Sequence, residues 1–121
     1  MNANELRIGN LVYYCLKDEK YINKIGGIDI YSIEDNEEYQ ESHEPIPLTE
    51  EWLLKFGFVR IDSNYEKEWL LLHKNIKTGT VDFLLNEPHT GKYKVTVLEY
   101  VHQLQNLYFA LTGEELEINN E

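Results

Sequence analysis

Apolar residues recur at every second position near the start of the chain. Leu6 and Ile8 are followed by Leu11, Tyr13 and Cys15, with the phase shifted by one at Gly9-Asn10. Alternation of this kind predicts half-buried strands, and the Gly-Asn dipeptide predicts a turn or bulge between them. A second alternating run passes through Ile22 and Ile25 to Ile28 and Ile30, with Gly26-Gly27 at its middle. A glycine pair flanked in this way predicts a hairpin. Three or four short strands with tight turns make a small bent β-sheet over residues 1–33, SH3-like by fold analogy, which carries no function with it.

Residues 34–47, E-D-N-E-E-Y-Q-E-S-H-E-P-I-P, break the pattern. Charge, Pro45 and Pro47 make this an acidic surface connection, either a linker between two halves or a long loop of one domain. L-T-E-E-W-L-L-K-F-G-F then predicts a short helix. Thr49 suits the N-cap, Glu50 and Glu51 sit at the positive end of the dipole, and Gly57 ends it. Trp52, Leu53 and Phe56 share one face, which is expected to be core. Three strand patterns follow, Glu68–His73, Thr80–Leu85 and Tyr93–Leu98, and their short connections favour a three-stranded antiparallel meander. Val101, Leu104, Leu107, Tyr108 and Leu111 form the apolar stripe of a C-terminal helix, expected to cover that sheet, with Gly113 as its stop. The order predicts an α+β fold. It reads as a single domain, 1–121, with an N-terminal β module at 1–33 and the acidic connection at 34–47.

The net charge of −11 changes this picture by its placement. Residues 34–51 hold eight acids and no base, residues 114–121 hold four acids and no base, and the rest has ten acids against eleven bases. A nearly neutral body has no basic stripe with which to displace counterions, so general nucleic-acid binding is not expected. No apolar run approaches the roughly 20 residues that span a bilayer, and the N-terminus does not read as a signal peptide. The single Cys15 permits no intrachain disulfide, which fits a reducing cytoplasm.

Chemistry is sparse. His43, His73, His89 and His102 lack metal-ligand spacing, so no metal is expected, and no glycine-rich phosphate loop is present, so no cofactor is. Ser42-His43 lies in the acidic stretch, where rigid alignment of a nucleophile with its base is implausible. No catalytic residue is assigned, and an enzyme is the less favoured class. His73, Lys74, Lys77, His89, Lys92, Tyr93 and Lys94 are the candidate ligand-binding residues. The lysines flank two turns at opposite ends of the central strand of the meander, and solubilising strand-end lysines are the plain alternative. The C-terminal helix raises a separate question, because Val101 to Gly113 contains no formal charge. Charge depletion marks an interface centre. Tyr100, His102, Gln103, Gln105, Asn106 and Phe109 are therefore expected to form an interface, most simply of a two-fold homo-oligomer. Cover by the N-terminal strands of the same chain is the alternative.

Three segments, A-N-E-L-R-I-G-N, P-I-P-L-T-E-E-W-L-L-K-F-G-F and Y-V-H-Q-L-Q-N-L-Y-F-A-L-T-G-E-E-L, together resemble a family of small proteins. That family is common in Bacteroides-type bacteria, their bacteriophages and mobile elements, and it supplies no catalytic residues. The resemblance implies a cytoplasmic setting in a bacterial host cell. It favours a non-enzymatic binding protein that modulates or counters a host system, by sequestering a nucleotide-like signal or blocking a defence protein. A small enzyme acting on a nucleotide or peptide, with His89 or His73 as base, is one alternative. A structural or adaptor protein of phage assembly is the other.

Overall fold

The computed structural model describes residues 5–35, 42–62, 64–67, 70–74, 80–87 and 91–118, the side chains of 35, 85–87 and 91–94 excepted. The fold is α+β. In chain order the elements are β1 (Leu11–Leu16), β2 (Glu19–Lys24), α1 (Gly27–Asp35), β3 (His43–Glu44), α2 (Glu50–Lys55), β4 (Val59–Ile61), β5 (Asn64–Lys67), β6 (Leu70–Lys74), β7 (Val81–Glu87), β8 (Gly91–Leu98) and α3 (Val101–Thr112). They fall into two compact units, Met1–Pro47 with Tyr100–Leu116, and Leu48–Glu99 with Glu117–Glu121. No helix among the described residues is long and apolar enough to cross a membrane.

The first unit holds a three-stranded antiparallel sheet in the order β2-β1-β3. Its hairpin turns at Lys17-Asp18, where Leu16 faces Glu19 and Lys17 takes the left-handed φ of 57°. The hairpin expected at Gly26-Gly27 is instead the start of a helix. The Gly26 amide donates to Asp29 Oδ2 at 2.8 Å, the return half of a capping box, and the Ile30 amide donates to the Gly26 carbonyl at 3.3 Å. Helical spacing wins here over the alternation of Ile28 and Ile30. Ile30 and Ile33, three apart, turn inward onto Val12, Ile25 and Leu6. With a helix in that place, the sheet does not extend into the SH3-like barrel of the sequence reading. α3 packs against β1, so the helix expected to cover the meander belongs to this unit.

The second unit is a five-stranded antiparallel meander in the order β4-β5-β6-β7-β8 with the short helix α2. Two strands, β4 and β5, precede the three that the pattern predicts. They are joined through Asp62 at φ 56°. One sheet face carries Tyr65, Leu72 and Phe83, aligned across three strands and buried with Leu70, Val81 and Leu98. Trp52, Leu53, Phe56 and Phe58 are buried in the same unit, as the periodicity of α2 requires. Thr49 has the extended backbone of an N-cap, but its side chain makes no capping bond. At the other end Gly57 adopts φ 89°, and Lys67 Nζ donates to the Phe56 carbonyl at 2.6 Å. The left-handed backbone disfavours any larger residue here, and a Cβ on Gly57 would lie 3.1 Å from that ammonium, which would have to shift.

Candidate functional site

The uncharged face of α3 meets its own chain. His102 and Gln105 are only 1% and 2% exposed. Gln105 Oε1 accepts from the Leu11 amide at 2.8 Å, and its Nε2 donates to the Gly9 carbonyl at 3.2 Å. Asn106 Oδ1 accepts from Asn10 Nδ2 at 2.8 Å and from Arg7 Nε at 3.2 Å, while Asn106 Nδ2 donates to the Glu5 carbonyl at 3.2 Å. Gln103 caps the helix by accepting from the Tyr100 amide at 3.1 Å. Tyr100 stacks on His102 with ring centroids 5.9 Å apart, and the Arg7 guanidinium lies 4.3 Å above the Phe109 ring while pairing with Glu115. The interface expected here is therefore an intramolecular seam. Neutral amides suit it for the reason that made them suspicious: an amide can exchange water for chain hydrogen bonds at little net loss, whereas a charge pays heavily for desolvation.

His102 gives this seam a pH dependence. Burial lowers its pKa from the ordinary 6.5, and the Glu5 carboxylate, 3.7 Å from Nε2, offsets part of that effect. As pH falls, the unfolded chain binds the proton first. Stability is therefore fully present above the unfolded value and declines as pH drops below about 6.5. Urea midpoints at roughly pH 7.5 and pH 5.5 are expected to show the loss in wild type and a smaller loss in His102→Phe. Equal slopes in the two proteins would remove His102 as the cause.

Of the proposed ligand-binding residues, the structure describes the side chains of His73 and Lys74. Lys77 and His89 lie outside the described residues, as do the side chains of Lys92, Tyr93 and Lys94. Lys74 is exposed and faces Val81, whereas Lys92 faces Asn86, five residues further along β7. At about 3.4 Å per residue the backbone positions of Lys74 and Lys92 are offset by roughly 17 Å along β7, so one strand does not bring them together. His73 instead joins a polar row on the sheet face opposite the core. Its Nδ1 is 3.1 Å from Asn64 Oδ1, and its cross-strand neighbour is the buried Asp82. Among the described residues no group of three or more His, Cys, Asp or Glu is placed to hold a metal ion. Cys15 is half-buried, and burial foremost, then the Glu44 carboxylate, pushes its thiol pKa up, away from nucleophilic use.

A more distinctive surface lies in the first unit, on residues that the sequence reading did not select. Tyr14, Tyr21, Ile22, Asn23 and Asp29 line an open depression of about 290 Å3. Register explains its chemistry. Glu19, Tyr21 and Asn23 share one face of the hairpin with Leu16, Tyr14 and Val12, whereas Lys20 and Lys24 project from the other face with Ile22. On the first face the Tyr21 hydroxyl donates to Glu19, and that bond, ahead of burial, holds the phenol pKa above 10.0. On the second, Lys20 pairs with Glu44 at 2.9 Å. Tyr14 is steadied edge-on by the His43 ring at 5.3 Å, and Asp29 comes from the first turn of α1.

Apolar exposure is high at the depression, Ile22 53% and Tyr21 49%, and on α1, Ile28 82% and Tyr31 69%. Ile28 and Tyr31, three residues apart, form an outward strip on a helix whose inward side is already filled by Ile30 and Ile33. Local sequence could have given the α1 positions had the helix been read through Gly26-Gly27. It could not have given the meeting of Tyr14, Tyr21 and Asp29. Comparison of the chain with protein-family models, with curated proteins and with solved structures gave no match.

Proposed function

We propose that this chain is a non-enzymatic binding protein and that the β2–α1 surface of its first unit is where a partner protein docks. The observation that carries the reading is the exposure of Tyr21 and Ile22 at one depression, with Ile28 and Tyr31 exposed on α1, the helix that supplies Asp29 to its lining. Contiguous exposed apolar side chains rimmed by polar ones mark interaction surfaces, and large aromatic and aliphatic anchors supply most of the energy there. Blocking of a host defence protein is the version of the function that such a surface serves. Its phage or mobile-element setting rests on the resemblance of the three segments. A nucleotide-like signal would need the lysines at the two ends of β7 to converge, which the register of one chain does not favour.

Parallel affinity purification from host cells, with wild type and with Ile28→Ser/Tyr31→Ala, tests this. A partner retained by wild type and lost by the double variant is expected. Because both positions are exposed, the variant should keep its stability to within about 0.5 kcal/mol. Identical partner profiles for the two proteins would overturn the proposal.

A further inference from the structure

We propose that the depression beside β2 and the start of α1 receives an arginine side chain of the partner protein. This rests on the reading above that the surrounding surface meets a protein, and it names the chemistry at its centre. The wall and rim combine two phenol rings, the Asn23 amide and the Asp29 carboxylate, with the Glu19 carboxylate next along the strand, bound to Tyr21. The residues lining the depression include no lysine or arginine; Lys20 and Lys24 share with Ile22 the hairpin face opposite Tyr14 and Tyr21. Glu19 lies on the face of the two phenol rings, and on the other face Lys20 is paired with Glu44.

The positive end of α1 opposes a cation here, but its roughly half charge is smaller than the full charge of Asp29 alone, and Glu19 adds another. The remaining field is attractive to cations and agrees in sign with the net charge of −11. Asp29 accepts from the Gly26 amide and has a further partner, and its negative charge still draws a cation. Guanidinium fits this mixture better than ammonium: it is planar, stacks on aromatic rings and directs several N–H donors in its plane towards carboxylates. A space of about 290 Å3 is just below the roughly 300–1,000 Å3 that holds whole ligands, and it suits one long side chain.

The full chain should be titrated with acetyl-Gly-Arg-Gly-amide, with its neutral citrulline counterpart and with methylguanidinium, while NMR follows the tyrosine rings and the Asn23 side-chain amide. The arginine peptide is expected to give saturable shifts at Tyr14, Tyr21 and Asn23 and to bind about tenfold more tightly than the citrulline peptide. Asp29→Asn, which keeps an acceptor for the Gly26 amide, and Glu19→Gln, at an exposed strand position, should each weaken the arginine peptide by roughly threefold to tenfold. Equal affinity for arginine and citrulline overturns the proposal, as do shifts that avoid these residues. Methylguanidinium binding as tightly as the peptide also overturns it, in favour of a free small cation. Loss of the partner in Ile28→Ser/Tyr31→Ala together with its full retention in Asp29→Asn would end the arginine assignment while leaving the docking surface intact.

Discussion

Phe56→Ala is expected to destabilise the second unit by about 3–5 kcal/mol, the range for removing a large aromatic side chain from a core. Phe56 is fully buried, its ring centroid is 5.8 Å from that of Trp52, and it ends a helix whose other inward residues, Trp52 and Leu53, are buried as well. The chain cannot easily close the cavity. Phe56 also supplies the carbonyl that accepts from Lys67 Nζ, and Gly57 behind it holds a left-handed turn, so the backbone at this position is fixed from both sides. Urea unfolding followed by tryptophan fluorescence should show a large fall in midpoint. A change under about 1 kcal/mol would mean that the aromatic face of α2 is not core.

The second large effect is expected at Gln105. Gln105→Leu keeps the bulk of the side chain but removes an acceptor from the Leu11 amide and a donor from the Gly9 carbonyl. Leaving two part-buried backbone groups without these partners costs up to about 1–3 kcal/mol each, so a loss of roughly 2–4 kcal/mol is expected. Gln105→Glu discriminates further. An ionised carboxylate can still accept from Leu11, but it cannot donate to Gly9, and it places an uncompensated charge at a position 2% exposed. Burial raises the folded pKa of such a group above its unfolded value of about 4.3. The variant is therefore least stable, relative to wild type, at neutral pH, and the difference narrows as pH falls towards and below about 4.3 and the protonated carboxyl becomes a donor. Chemical denaturation of both proteins across that range reads it. A Gln105→Glu protein as stable as wild type at neutral pH would contradict the buried seam and return this face of α3 to consideration as an outer surface.

Elements whose signals are local can be read along the chain. The paired glutamates and Gly57 bracket α2, although Thr49 makes no capping bond, and the stripe from Val101 to Tyr108 with Gly113 brackets α3, because dipole, glycine stops and helical spacing act within a few residues. The cores of β6, β7 and β8 were legible in the same way from runs of Leu, Val and Phe. The other elements depend on packing between distant segments. Gly26-Gly27 read as a hairpin turn because glycine permits either outcome, and the choice fell to the Asp29 cap and to the burial of Ile30 and Ile33 against Val12 and Ile25. The true turn at Lys17-Asp18 carries no glycine or asparagine signal, and pairing of β1 with β2 imposes its left-handed residue.

The uncharged face of α3 was visible as an anomaly, but not its partner. The groups that satisfy Gln105 and Asn106 are backbone and side-chain atoms some hundred residues away, and a hydrogen bond across that distance leaves no periodicity to read. The same holds for the depression. Strand alternation, once the register was set, gathered Tyr14, Tyr21 and Glu19 on one face of the hairpin and sent Lys20 and Lys24 to the other, and α1 then set Asp29 beside them. Composition fixed how much charge the chain carries; only pairing and packing fixed which side of a strand each charge occupies, because side-chain direction reverses with every residue and register is a property of two strands together.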